Sequence, residues 1–311
     1  MTASSASGMA DGPAGEIVYE VSHRTTYRYG VRMSTGATVA HLTPRVTPLQ
    51  RVLGSDLSIV PEADERTDWD DSFGNRVTYL SVNRPHDSLE LVAASSVAIV
   101  PSAFDPAGPR PRQAWDAVAA ALDDDRSPQG LDARSYRVGS RLGPTAAAAR
   151  EYAAPSFEPG RDLVDAVVDL CHRIYTDFEF DPAFSDTTTP VSEVLAHRRG
   201  VCQDFAHLAL SSLRSLRLPA RYVSGYIETK PPPGKQKLVG SDASHAWASF
   251  YVPELGWIDV DPTNDQLPTR RHVTVAWGRD YADVAPVRGV VFGPTTMQEL
   301  SVAVDVERLE G

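Results

Sequence analysis

Two cysteines, eight histidines and a cluster of aspartates near position 260 are the residues with which this chain could attack a carbonyl. Cys202 follows Gly200 and Val201 and opens CQDFAHLALSSLRSLRL, in which Phe205, Leu208, Ala209, Ser212, Leu213 and Leu216 recur at helical spacing until Pro219 stops the run. A helix N-terminus favours an anion, because its unpaired amides and the macrodipole both stabilise negative charge, and this suits a thiolate nucleophile. The amide of Cys202 could also help hold the oxyanion of an attacked carbonyl. Cys171 instead flanks the stripe Leu163, Val167, Leu170 and Ile174, where burial raises a thiol pKa, so it reads as a small core hydrophobe.

A thiol nucleophile needs a base, and His207 and His245 are the serious candidates. His207 lies five residues along the same helix from Cys202, about 140° around the axis at about 100° per residue, so the two side chains diverge. His245 begins a strand pattern that alternates His245, Trp247, Ser249 and Tyr251 with Ala246, Ala248, Phe250 and Val252. The following strand offers Asp259 and Asp261 to orient the imidazole. If a five-residue hairpin loop pairs Tyr251 with Trp257, Asp261 falls opposite Trp247, one diagonal step from His245, and Asp259 falls opposite Ser249. A four-residue loop would turn Asp261 to the other face.

The elements that must carry these residues follow from the patterning. Residues 1–15 read as a disordered tail, small, polar and rich in Gly and Pro. Residues 16–105 carry alternating runs such as IVYEVSHRTTYRYG, ATVAHLTPR, DLSIVPEA, DSFGNRVTYLSV and LELVAASSVAIV, an antiparallel β domain with a hairpin turn at Phe73, Gly74 and Asn75. Residues 106–160 form a linker, DPAGPRPR, and a helical connection. Residues 161–311 hold the two helices around Cys171 and Cys202, then the strands ARYVSGYIE, SHAWASFYV and WIDVDP, with VRGVVF and LSVAVDVERL closing the chain. Helices followed by antiparallel strands predict an α+β domain.

Composition narrows the functional classes. A chain of 311 residues suits two domains with cores of their own. The net charge of -11 argues against a nucleic-acid or anionic-membrane partner. Two cysteines are too few for a disulfide framework, and the N-terminus has neither the basic start nor the apolar stretch of a secretory signal, so a cytoplasmic location is expected. Cys202, His245 and Asp261 have the ligand types of a zinc site, but no CxxC or HxxxH pair supports one, and neither metal nor cofactor is expected.

The segments GVCQDFAHL, PARYVSGY, SHAWASFYVPELGWIDVDPTN and GRDYADV resemble the transglutaminase-like cysteine enzymes, and HRTTYRY, HLTPR and SFGNRV resemble the N-terminal β region of their bacterial members. The resemblance implies a papain-like core in which Cys202 attacks, His245 is the base and Asp261 orients it. It implies an acyl-transfer reaction on a peptide or protein amide without fixing the acceptor; water is favoured over an amine because it is abundant and nothing in the chain marks an amine site. A catalytically silent binding module on the same fold is the competing class. Trp247, Asp280 and Tyr281 stand as candidate substrate-binding residues, although Trp247 and Trp257 could equally fill the hairpin core and GRDYADV could be a salt-bridged turn. KPPPGKQK, with Lys230, Lys235 and Lys237, reads as a solvated loop before the His245 strand.

Overall fold

The structure, a computed structural model, describes residues 15–229, 244–268, 270–294 and 298–309. Six strands come first: β1 (Ile17–Met33), β2 (Thr35–Ala40), β3 (Gln50–Val60), β4 (Glu65–Asp70), β5 (Arg76–Val82) and β6 (His86–Ile99). The connection carries α1 (Trp115–Asp124), α2 (Pro128–Ser135) and α3 (Ala147–Ala153). There follow α4 (Leu163–Asp177), β7 (Glu179–Phe180), α5 (Val191–His197), β8 (Arg199–Gly200), α6 (Cys202–Ser215), β9 (Ala220–Ile227), β10 (Ser244–Val252), β11 (Gly256–Val260) and β12 (His272–Gly278). The chain ends with α7 (Tyr281–Val284), β13 (Val287–Phe292) and β14 (Gln298–Arg308). The class is α+β, as patterned. Among the described residues no helix is long and apolar enough to cross a membrane.

Two four-stranded sheets, ordered β14-β1-β6-β3 and β13-β2-β5-β4, form the first lobe. Their shared core draws Tyr29, Leu57 and Leu91 from one sheet and Leu80 and Val82 from the other. Two features depart from the sequence reading. Strand β4 escaped it because its residues are all exposed and show no apolar alternation. Strands β13 and β14, assigned above to the catalytic core of residues 161–311, instead complete the first lobe: β14 pairs Tyr19 with Arg308, and β13 pairs Ala40 with Val287. Local patterning identifies a strand but not its partner, and these partners lie at the far end of the chain.

The second lobe is the sheet β11-β10-β9-β12, with α6 lying across it. Helix α6 is not the one-sided helix its pattern suggests, since every residue from Gln203 to Arg214 is buried. It is a central helix, enclosed by the sheet and by α3, α4 and α5. Nor is the proline-rich linker loose. The Arg110 guanidinium within it binds Asp162 and Asp165, at 2.5 and 2.6 Å, and so fastens the linker to the start of α4.

The lobes share one core. Ile17, Tyr19, Val21, Val97 and Ile99 of the first lobe pack in the same cluster as Leu208, Phe250 and Val273 of the second, and each such buried side chain contributes about 1.5–3 kcal/mol. Polar groups add direction. Strand β12 is an edge, and two side-chain amides of the first lobe cap it by donating and accepting as a neighbouring strand would. Gln50 pairs with the N–H and C=O of Thr274, at 2.8 and 2.7 Å. Asn75, from the turn at Gly74 (φ 72°), pairs with the N–H and C=O of Trp277, both at 2.9 Å.

A fragment beginning near Arg112 would therefore lose part of the shared core and both caps on β12, and would leave β13 and β14 unpaired. We expect it to be poorly soluble, without a cooperative thermal transition. Cooperative melting of a soluble fragment would show that the first lobe is dispensable for folding.

Candidate active site

Cys202 stands at the first position of α6, half-buried. Asp204 shapes this helix start: its Oδ2 accepts from the Val201 amide at 2.8 Å and from Ser185 Oγ at 2.5 Å. Gly200 is required by that carboxylate rather than by flexibility, since a Cβ there would lie 2.8 Å from Asp204 Cβ and 2.9 Å from Oδ2. The Cys202 amide, in the first turn, has no acceptor within the helix by position and is free to meet an oxyanion.

The hairpin has the register needed to bring Asp261 to His245. Tyr251 pairs with Trp257 and Ser249 with Asp259, and pairing extends one step further, from Val252 to Gly256. His245 Nε2 donates to Asp261 Oδ2 at 2.7 Å. The Cys202 thiol lies close enough to the imidazole for its hydrogen bonding and charge to raise the His245 pKa. His245 thus adjoins both nucleophile and carboxylate, 7 % exposed.

Asp261 is fully buried and heavily bonded. Besides His245, its Oδ2 accepts from Asn264 Nδ2 at 2.8 Å and from His272 Nε2 at 2.9 Å, while Oδ1 accepts from the amides of Thr263 and Asn264 at 3.0 and 3.3 Å. The DPTN segment is therefore a turn closed around its own carboxylate. Burial alone would raise the Asp261 pKa, but these donors and the neighbouring imidazoles hold it far below the usual carboxylate range. For His245 burial works against protonation and is outweighed by the hydrogen bonds and charges of Asp261 and Cys202, which push its pKa up to about 10.

His272, on β12, escaped the sequence reading altogether. Burial lowers its pKa, the bond to Asp261 opposes that, and the nearby His245 reinforces it, so His272 stays neutral. The available signal was the alternation in HVTVAWG, a strand that follows the DPTN turn. Trp247 packs against both histidines, its ring centroid 5.9 Å from His245 and 5.0 Å from His272, while the two imidazoles lie 5.7 Å apart. Its indole N–H donates to Asp259 at 3.0 Å, and it is fully buried. Trp247 is accordingly a wall that holds the imidazoles and not a substrate-binding surface, because its bulk fills the space between the hairpin and β12.

The other candidates separate cleanly. Burial pushes the Cys171 thiol well up. His207 accepts from the Tyr281 amide at 3.2 Å, and burial pushes its pKa down to about 3, as suits a structural histidine. Asp280 is also structural and not a substrate contact: it is 3 % exposed and accepts from the amides of Leu142 and Ala282 at 3.0 and 2.9 Å. Arg279 and Asp283 form a salt bridge at 2.9 Å beside it. Tyr281, half-buried, packs edge-on against Tyr222. Trp257 packs against Tyr136 and Tyr251. Lys230, Lys235 and Lys237 lie outside the described residues.

Among the described residues, His245, Asp261 and His272 bring one potential metal-ligand atom each to within 4.8 Å of one another. Both Nε2 atoms already donate to the same carboxylate oxygen, so a cation there would have to break the hydrogen bonds that arrange the site. Cys202 does not join that cluster.

Known proteins resemble the chain over both of its lobes. The transglutaminase-like superfamily pattern matches residues 150–262, and that of the bacterial transglutaminase-like N-terminal region matches residues 19–98. An uncharacterized protein of Mycobacterium tuberculosis is 41% identical over 299 residues, spanning 94% of this chain and 93% of its own. A protein-glutamine gamma-glutamyltransferase of Pseudomonas aeruginosa is 39% identical over 74 residues, 24% of this chain and 11% of that protein. A candidate cysteine protease of Cytophaga hutchinsonii shares the fold, with a TM-score of 0.72 at 20% identity, covering 96% of this chain and 92% of that one.

His245 should therefore remain an imidazolium through neutral pH and lose its proton only as pH rises through about 10. Asp261→Asn removes the charge that raises it, so deprotonation should move down toward the ordinary histidine value. Ring nitrogen NMR shifts followed through a pH titration read both. A wild-type His245 titrating near pH 6.5, or one unmoved by Asp261→Asn, would contradict the arrangement.

Proposed function

The chain belongs to the transglutaminase-like superfamily, and from that premise we propose that it is a cysteine acyl-transfer enzyme that hydrolyses peptide or side-chain amides through a thioester. The observation that carries the reading is the buried His245, hydrogen-bonded to Asp261 and electrostatically coupled to the neighbouring Cys202. The Cys202 sulfur attacks the amide carbonyl, and the amide N–H of Cys202 takes the oxyanion. His245 gives its proton to the departing amine as the C–N bond breaks. The neutral imidazole then takes a proton from water, whose oxygen attacks the thioester and releases the acid. Asp261 holds the ring so that its other nitrogen faces sulfur throughout, and supports its charge.

Water as the acceptor is our choice because no cluster of groups suited to an incoming amine was recognised in the sequence. The partial likeness to a glutamyltransferase supports the amine alternative only through a quarter of the chain. Tyr281 is the remaining candidate for substrate contact.

Three experiments test the reading. Cys202→Ala should abolish turnover across a library of peptides and amides while leaving the thermal transition intact, and activity that persists in it but requires Cys171 would overturn the nucleophile. Products formed in oxygen-18 water with a primary amine present should be labelled acids with free amine released, whereas amide products incorporating the added amine would establish transfer instead. Asp261→Asn should reduce turnover at least about a hundredfold, a barrier increase of about 3 kcal/mol. Asp259→Asn is the matched control, because Asp259 meets the Trp247 indole and not His245. Damage from the Asp259 change with a silent Asp261 change would remove Asp261 from its role.

A further inference from the structure

A cavity of about 890 Å³ lies between the first lobe and the β9–β12 sheet, walled by Leu49, Phe73 and Ile99 on one side and by Arg221, Trp257 and Trp277 on the other. Neither Cys202 nor His245 lines it, although His272 does, so it adjoins the Asp261–His272 bond and does not open on the nucleophile. Its volume is that of a small-molecule site.

Arg221 is its unusual wall. The residue is 8 % exposed, and its guanidinium is stacked between two indoles, 4.3 Å from the Trp257 ring and 3.7 Å from that of Trp277. Its Nε is buried without a hydrogen-bond partner, and the largest compensating charge is that of Asp259. Other enclosed arginines make hydrogen bonds or ion pairs through their remaining nitrogens, although Arg45 Nε and Arg110 Nη1 are likewise without a partner. Arg214 donates to the carbonyls of Tyr136, Ala220, Gly143 and Arg279, and Arg110 binds two aspartates. Arg45, on the far face of Trp277, donates to Phe73 O and Asn75 Oδ1. Asp259 also borders the cavity, but its carboxylate takes the Trp247 indole and lies beyond ion-pair distance of Arg221.

Burying a guanidinium nitrogen without an acceptor is costly, and stacking on indoles offsets only part of that cost, about 0.5–2 kcal/mol each. Since both faces are covered, the donors left to a ligand are those at its edge. We infer that this cavity binds a small organic carboxylate with a flat apolar body, its carboxylate on the edge of Arg221 and its body against Trp257, Trp277 and the first lobe. A monoanion fits better than a phosphate, because a second negative charge would face Asp259 and the rim residue Asp132. The site is independent of the amide-cleaving reading and would stand if that reading failed.

Isothermal titration of the full chain with 2-naphthoate, and with the neutral 2-naphthalenemethanol, tests this. The acid should bind saturably, one per chain and at least about tenfold tighter than the alcohol. Binding should persist in Cys202→Ala and weaken at least about tenfold in Arg221→Gln. Leu49→Trp, an exchange at a half-exposed rim position that leaves Arg221 untouched, should narrow the mouth and also weaken binding, and it decides the matter if Arg221→Gln fails to fold. Equal affinity for acid and alcohol, undiminished binding in the folded variants, or no saturable heat up to about 5 mM would overturn the site.

Discussion

A carboxylate with no solvent exposure must have its charge satisfied inside the protein, and Asp261 meets that demand through a surrounding structure of some extent. Its two backbone donors come from its own turn, one side-chain donor from Asn264, and two ring donors from separate strands, β10 and β12. Every one of these depends on register. A one-residue slip of β11 against β10 would carry Asp261 to the opposite face of the sheet and leave both imidazoles without an acceptor. The hairpin, the DPTN turn and β12 are thus parts of one electrostatic arrangement, and the charge on His245 is its product.

That arrangement reaches into the first lobe. Strand β12 brings His272 to Asp261, and the outer edge of β12 is held by the side-chain amides of Gln50 and Asn75. Asn75 is itself tied to Asp71 and Arg45 around the Gly74 turn, so a hairpin of the first lobe sets the position of a strand at the site. The β sandwich is structural support for the candidate site as well as an apolar neighbour. The strands that close it, β13 and β14, come from the end of the chain and enclose the second lobe between two contributions to the first.

Much of the site was readable without coordinates because its signals are local. Cys202 is marked by the helix pattern it opens, and Asp261 is distinguished from Asp259 by the DPTN resemblance together with an assumed five-residue hairpin loop, whose pairing of Tyr251 with Trp257 is present in the structure. What escaped the reading is non-local. His272 has no local mark of function, since its importance comes from an aspartate on another strand. The same holds for β14, whose apolar alternation says strand but cannot say that its partner is β1. Trp247 and Asp280 were proposed as substrate contacts on residue type, and both turned out to be buried. An indole packed against two imidazoles and a carboxylate at a helix start look the same in sequence as groove residues do.

Four of the buried histidines show why partner matters more than burial. His23, His207, His245 and His272 are all less than a tenth exposed, and desolvation pushes each toward neutrality. His23 has Thr25 and Tyr226 as neighbours, neither of them a carboxylate, and its pKa falls to about 4. His207 accepts from an amide, a bond open only to the neutral ring. His272 shares Asp261 but faces the positive His245, and burial prevails. Only His245 adjoins two anion-forming groups, Asp261 and Cys202, and only there does the balance reverse. Its reactivity therefore comes from being placed beside both Cys202 and Asp261, and the geometric argument that set His207 aside, a helical rotation carrying it away from the thiol, identified the same difference from the backbone alone.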